Sequence, residues 1–202
     1  MGISLALSHC AQLPEQSPQN LDLSANQQAL RALNQWQLEG KIGVRLPDDN
    51  GSARVNWQQQ GQDYNLSLSG PLGQGRVLIQ GGPQQVTLTQ SGEEPISAAS
   101  AEALIRQATG WELPVSALRA WVLGLPVSDT ALSNQQYRED DLPLSFTQLG
   151  WQLHYKRFHQ QQGLWLPSLM TASTTTAADE KIRLTLVIHR WNLAPNSSEA
   201  AP

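Results

Sequence analysis

Charge is scarce in this chain. Of its 202 residues, 15% are Asp, Glu, Lys or Arg, against about 25% in an ordinary globular domain. The formal net charge is -4 and no basic block occurs. That excludes tight nucleic-acid binding, which needs clustered Lys and Arg to neutralise phosphates. No apolar run approaches the roughly 18 residues of a membrane-spanning helix, so contact with a membrane would need an anchor or a surface. A single cysteine, Cys10, can form no intrachain disulfide and builds no metal site alone. Catalytic signatures are missing as well. His9, His154, His159 and His189 fall in no HExxH pattern, and the chain has no GxSxG elbow and no Walker-type loop. Acidic residues gather at Asp48 and Asp49, and at Glu139, Asp140 and Asp141 beside Arg138, where solvated loop charges are expected. Nothing points to an enzyme, a cofactor or a metal.

What is present is alternation. In "WQLEGKIGVRL", Trp36, Leu38, Ile42, Val44 and Leu46 fall on one face, with Gln37, Glu39, Lys41 and Arg45 on the other. After the turn "PDDNG", Ala53, Val55 and Trp57 alternate with Arg54, Asn56 and Gln58; Tyr64, Leu66 and Leu68 then alternate with Asp63, Asn65 and Ser67. "RVLIQG" and "QQVTLTQ" continue the series. This is the pattern of an antiparallel sheet with one wet face. Strands resume with "PLSFTQLG" and "WQLHYKRFH" as a hairpin at Gly150, with "LWLPSLMTASTTT" broken at Pro167, and with "IRLTLVIHRWNL". Roughly ten strands are expected.

Three segments switch to helical spacing. A helix over about 25–34 is expected, with Ser24 and Gln27 as a capping box. A second starts at Ser97 or Ser100 and ends before Gly110. A third opens at Pro114 and stops at Gly124 and Pro126, with Val115, Leu118, Trp121 and Val122 as its apolar stripe. The helices interrupt two blocks of strands, which favours a lid on a strongly curved sheet. Exposed apolar surface is unfavourable by about 25 cal/mol per Å², so the lid must cover it. The covered residues could fill a solid core or line a hollow suited to acyl chains; alternation alone does not decide between them.

Two local features need their own reading. "MGISLALSHC" is short and apolar, and "AQLPEQSPQN" after it is polar and proline-bearing. That is the order of a lipoprotein signal remnant, an acylated cysteine and a tether, with a stray thiol as the alternative for Cys10. His9 stands where a small residue is usual. In "SGPLGQG" a leucine, Leu72, sits between Pro71 and Gly73 at a turn, where polar residues are normal.

Several segments together resemble the LolB family of outer-membrane lipoproteins. They are "WQQQGQDYNLSLSGPLGQG" at 57–75, "LIRQATGWELPVSALRAWVLGLP" at 104–126, "QYRED" at 136–140 and "IRLTLVIHRWNL" at 182–193. The resemblance covers residues 24–193 in order. It implies a mainly β fold, a curved antiparallel sheet forming an incomplete, open barrel, with a three-helix lid over an apolar cavity. It further implies a monomeric, non-enzymatic protein, lipid-anchored in the outer membrane and facing the periplasm. Such a protein takes acylated lipoproteins from a periplasmic, LolA-like carrier and inserts them into that membrane. Leu72, flanked by Pro71 and Gly73, corresponds to the family's exposed membrane-touching leucine. The expected organisation is a tether at 1–23 anchored through Cys10, a domain at 24–193 and a disordered tail at 194–202. Candidate cavity residues, taken from the alternating face and the helix stripe, are Trp36, Val44, Val55, Trp57, Leu66, Leu68, Ile79, Leu118, Trp121, Val122, Leu184 and Leu186. A structural or scaffold lipoprotein with a solid core remains the alternative.

Overall fold

A computed structural model describes residues 17–47, 50–70, 75–109, 114–176 and 179–193. The chain opens with α1 (Leu23–Ala32), then six strands: β1 (Gln35–Arg45), β2 (Asn50–Gln60), β3 (Asp63–Ser69), β4 (Val77–Gly81), β5 (Val86–Gln90) and β6 (Ile96–Ala98). Helices α2 (Ala101–Thr109) and α3 (Val115–Trp121) follow. Five more strands complete it: β7 (Leu132–Tyr137), β8 (Pro143–Gln148), β9 (Trp151–Gln161), β10 (Leu164–Thr175) and β11 (Lys181–Asn192).

All eleven strands form one sheet in the order β6-β5-β4-β3-β2-β1-β11-β10-β9-β8-β7. Every neighbouring pair is antiparallel. Two meanders therefore meet at the centre, where the first strand pairs with the last. The two edges, β6 and β7, do not pair with each other, so the sheet is not closed into a barrel. The chain crosses from one edge to the other through α2 and α3. Laid flat, eleven strands at about 4.8 Å spacing would span roughly 50 Å, while a helix of α1's length is about 15 Å long. Three such helices cover one face only if the sheet curls around them.

Trp36, Leu38, Val55, Trp57, Leu184, Leu186 and Ile188 are buried on one face, and with Trp121, Val122, Leu123 and Leu125 they form the main core. This is the inner face, toward the helices. A second, smaller core joins Ile79 and Val86 to Ala101 and Leu104 of α2 and to Val115. Tyr64 and Leu66 pack against both cores, which places them at the seam.

Several local expectations are corrected. The cap of α1 is Asp22, whose Oδ1 accepts from the Ala25 N–H at 2.9 Å; Ser24 lies inside the helix. A carboxylate next to the helix start outcompetes a hydroxyl two residues later, because an N-cap needs extended backbone and Asp22 has it. Residues 96–98 form the edge strand β6, so α2 starts at Ala101 with Ser100 Oγ accepting from the Ala103 N–H at 3.1 Å. Pro167 does not break β10. The register with β9 shifts around it, which is how a residue without an N–H is tolerated inside a sheet. Arg138 and Asp140 are not simply solvated: they pair at 3.1 Å and lock the turn between β7 and β8.

Candidate functional site

The twelve inner-face candidates do converge on one side of the sheet. Trp36, Val55, Trp57, Trp121, Val122, Leu184 and Leu186 lie in the main core, with Val44, Leu66, Leu68 and Leu118 packed against it. Ile79 belongs to the smaller core under α2. Period-two alternation accounts for the strand members: Leu38 faces Trp57, Trp57 faces Leu66 and Leu66 faces Ile79 across successive strands. An aromatic row runs inward from the seam. Tyr64 lies 6.4 Å from Trp57, Trp57 lies 5.2 Å from Trp36, and Trp36 lies 5.6 Å from Trp191, centroid to centroid.

Cover is uneven along this face. Trp36 and Leu38 near the start of β1 are fully buried, whereas Ile42, Val44, Leu66, Leu68 and Val77 are half-buried. The registers put this thinner cover at the sheet end that holds the 46–49, 70–76 and 176–180 connections.

The helices are attached in two different ways. Gln148 of β8, 1% exposed, gathers the chain leaving α3. Its Oε1 accepts from Trp121 Nε1 at 3.0 Å and from the Val127 N–H at 2.8 Å, and its Nε2 donates to the Val127 and Thr130 carbonyls. Tyr155 donates its hydroxyl to the Trp121 carbonyl at 2.9 Å, and burial raises its pKa well above the ordinary tyrosine range, so the donor is kept. α1 is fixed by Asn26, which exchanges two hydrogen bonds with the main chain of Trp165. α2, by contrast, meets the sheet through the apolar residues of the smaller core. One link to α3 is Glu102, which accepts from the Ser116 N–H at 2.7 Å. Partial burial pushes the Glu102 pKa up, but its hydrogen bonds, led by Ser116, hold it below the ordinary value. Burial, with the Glu102 charge behind it, raises Tyr64. The end of α3 is thus tied to the sheet by polar bonds with strict geometry, and α2 lies on the sheet through the apolar residues of the smaller core.

Four buried side-chain atoms have no hydrogen-bond partner among the described residues: Trp36 Nε1, Asp140 Oδ2, Arg157 Nε and His159 Nδ1. Trp57, Trp121 and Trp191 donate their indole N–H groups to Gln59, Gln148 and the Pro167 carbonyl.

Two hollows open beside polar side chains. One of about 590 Å³ is lined by amides including Gln35, Gln58, Gln59, Asn65, Gln80 and Gln85. Another lies between residues 17–22 and the 138–141 turn. None of the twelve candidates lines either, because those side chains pack against one another. Pro71, Leu72, Gly73 and Cys10 lie outside the described residues; 70–76 joins adjacent antiparallel strands β3 and β4. Gln148, Tyr155, Asn26 and Gln59 were not foreseen. For Gln148 a signal existed, since it falls in phase with buried Phe146.

Residues 34–191 match the family described as "Outer membrane lipoprotein LolB". An "Outer-membrane lipoprotein LolB" of Cellvibrio japonicus is 45% identical over 176 residues, covering 85% of this chain and 84% of the relative. One of Chromohalobacter salexigens is 37% identical over 180 residues, covering 89% and 81%. Among solved structures, a LolA superfamily protein from Nitrosomonas europaea aligns with TM-score 0.54 at 9% identity, covering 89% of this chain and 97% of that one. A putative outer membrane lipoprotein-sorting protein domain from Vibrio parahaemolyticus aligns with TM-score 0.55 at 8% identity, covering 87% and 92%. At such identities the structural likeness concerns the fold alone.

Proposed function

Because the chain belongs to the LolB family of outer-membrane lipoproteins, we propose that it takes up acylated lipoproteins at its inner face and passes them into the outer membrane. The observation that supports this best is a continuous apolar face under a helical lid, least covered at the end where the 70–76 connection lies. In the arrangement described the lid is shut. Loading requires α2 to lift from the strands, since α3 is the helix held by Gln148 and Tyr155. Lifting α2 exposes Ile79, Val86, Ala101, Leu104 and Val115, at a cost of about 8 kcal/mol if each of the four larger side chains contributes about 2. An acyl chain of about fifteen methylenes, at roughly 0.8 kcal/mol each, recovers a similar amount. Empty and loaded states then lie close in free energy, as a relay needs. No covalent step is required: cargo moves from a LolA-like carrier to this chain and on to lipid down a gradient of affinity.

Cys10, acylated, anchors the domain in the membrane, with the segment after it as the tether. Leu72, held between Pro71 and Gly73, touches the bilayer. Its burial there contributes about 1.5–3 kcal/mol, too little to anchor a protein and enough to perturb lipid packing. A second reading, a scaffold with a solid core, draws support from the close packing of the twelve residues. Reconstituted transfer of a fluorescent lipopeptide from carrier to vesicles separates the two. Leu72→Glu should bind cargo normally and fail to deliver it. Normal delivery by that variant removes the role of Leu72, and no uptake by the unaltered protein favours the scaffold.

A further inference from the structure

We propose that the outer face of the central strands, beside the 70–76 connection, rests on the anionic headgroups of the bilayer and sets the posture of the domain there. This rests on the membrane-delivery reading and adds to it a surface and a lipid class. The sequence spreads its cations along the chain, and the fold gathers them. The neighbouring strands β2-β1-β11-β10-β9 carry eight of the thirteen Lys and Arg residues and one of the seventeen acids, Glu39. Glu39 is answered by Arg190 at 3.2 Å. Lys41, Arg45, Arg54 and Arg183 are exposed and alternate with the inner-face residues Ile42, Val44, Val55 and Leu184, which puts them on the side away from the helices. None of the four forms a salt bridge among the described residues. Register sets them against each other: Lys41 stands opposite Arg54, and Arg45 opposite Arg183. Like charges directly opposite on paired strands are destabilising, and an anion lying over the face relieves both pairs. His154 on β9 senses the same field, since burial first, and then Lys156 and Arg183, lower its pKa.

Position selects a lipid surface. Arg54 stands opposite Ser69, the last residue of β3 before the 70–76 connection. Arg45 closes β1 at that same end of the sheet, directly behind the thinly covered part of the inner face. A sheet curled around its lid is convex outside and meets a plane along its central strands, where the four cations lie. Residues 17–22 sit against the 138–141 turn, which belongs to the opposite end of the sheet. β1 has eleven residues and is about 36 Å long, so a domain standing on one end would hold the other far from lipid. Lying on its outer face brings both the tether and the 70–76 connection to the bilayer and leaves the lid facing the carrier.

The test is co-sedimentation of the full chain, not acylated so that no anchor contributes, with phosphatidylcholine vesicles that contain or lack phosphatidylglycerol. The unaltered protein should prefer the anionic vesicles and lose the preference in about 1 M salt, where the screening length falls to about 3 Å. Each basic residue near such a surface strengthens partitioning about fivefold. Arg45→Gln with Arg183→Gln should therefore weaken binding to anionic vesicles by at least about tenfold and leave neutral vesicles unaffected. Lys41→Gln with Arg54→Gln should act in the same way, and Arg119→Gln on α3 far less. Both double variants remove a repulsion, so their urea midpoints should hold or rise, which separates lost binding from lost fold. Uptake of a fluorescent lipopeptide, a property of the inner face, should be unchanged. Equal binding to both kinds of vesicle, or a preference that survives both double variants, overturns the assignment. So does a double variant that keeps its vesicle binding and fails to take cargo from the carrier, which would give the face to an acidic protein. These outcomes leave uptake by the inner face standing. No uptake by the unaltered chain removes the delivery reading, and a preference lost in the double variants would still assign the face to lipid.

Discussion

At Gln148 four polar groups of the lid converge on one amide. Replacing it with Met keeps the volume and removes every bond. Trp121 Nε1, the Val127 N–H and two carbonyls then lose their partner, each costing about 1–3 kcal/mol where it stays dry. Gln148→Met should lower the unfolding free energy in urea by about 3 kcal/mol or more, while the same change at exposed Gln135 should stay within about 0.5 kcal/mol. Equal effects at both positions would contradict the hub. The chain's abundant glutamine reads from sequence as wet surface, and for most positions that holds; nothing but phase marks Gln148 and Gln59 as buried. His159 belongs to the same scale. Burial lowers its pKa below the ordinary value, so the folded state holds it neutral. Above pH about 6.5 both states are neutral and it contributes no slope. As pH falls below that, the unfolded chain gains a proton that the folded chain refuses, and stability drops until the lowered folded pKa is reached. His159→Gln should flatten this loss in urea titrations between pH 7 and 5. His154, lowered by burial and then by Lys156 and Arg183, leaves a residual slope. An unchanged profile would show that His159 is accessible to protons in the fold.

Among elements, β1 carries the constraint that lets the two meanders meet. Its pairing with β11 shifts between Glu39 and Gly40, and a Cβ at Gly40 would strike the Val187 carbonyl oxygen. No neighbouring atom can retreat, because that oxygen belongs to the paired strand. Gly40→Ala should lower stability by about 2 kcal/mol or more, as overpacking does. Gly51→Ala, with open space around the new methyl, should be near neutral. A matching loss at both sites would mean that the close strand approach does not set the cost, since the effect of Gly→Ala on the unfolded chain favours the fold at both. The long strands were legible because their apolar faces repeat every second residue. β7 was not: all six of its residues are exposed, so alternation has nothing to report, and only the sheet edge defines it. β6, three residues long, is too short to show a period and was absorbed into the following helix. The α1 cap was misplaced because Asp22 and Ser24 both suit an N-cap and only backbone conformation chooses between them.

For the molecule as a whole, an eleven-stranded sheet with unpaired edges is stable only because its inner face is covered, and the two cores divide that cover unequally. The curved sheet with three helices was readable from the order of periodic segments. The choice between solid core and hollow was not, because the same side chains serve both, and in the shut arrangement they pack together. The account therefore rests on opening: the inner face must admit hydrocarbon when α2 yields. Quenching of the protein's own tryptophans by an acyl chain carrying a doxyl group tests this most directly, since a doxyl quenches only rings it comes near. The account predicts saturable quenching at a fixed small ratio of chain to protein, reversed by unlabelled lipopeptide and reduced by a charged substitution at the seam such as Leu66→Asp. Quenching that rises without saturation, or that ignores both competitor and substitution, would mean that the chain never enters and that the core is solid.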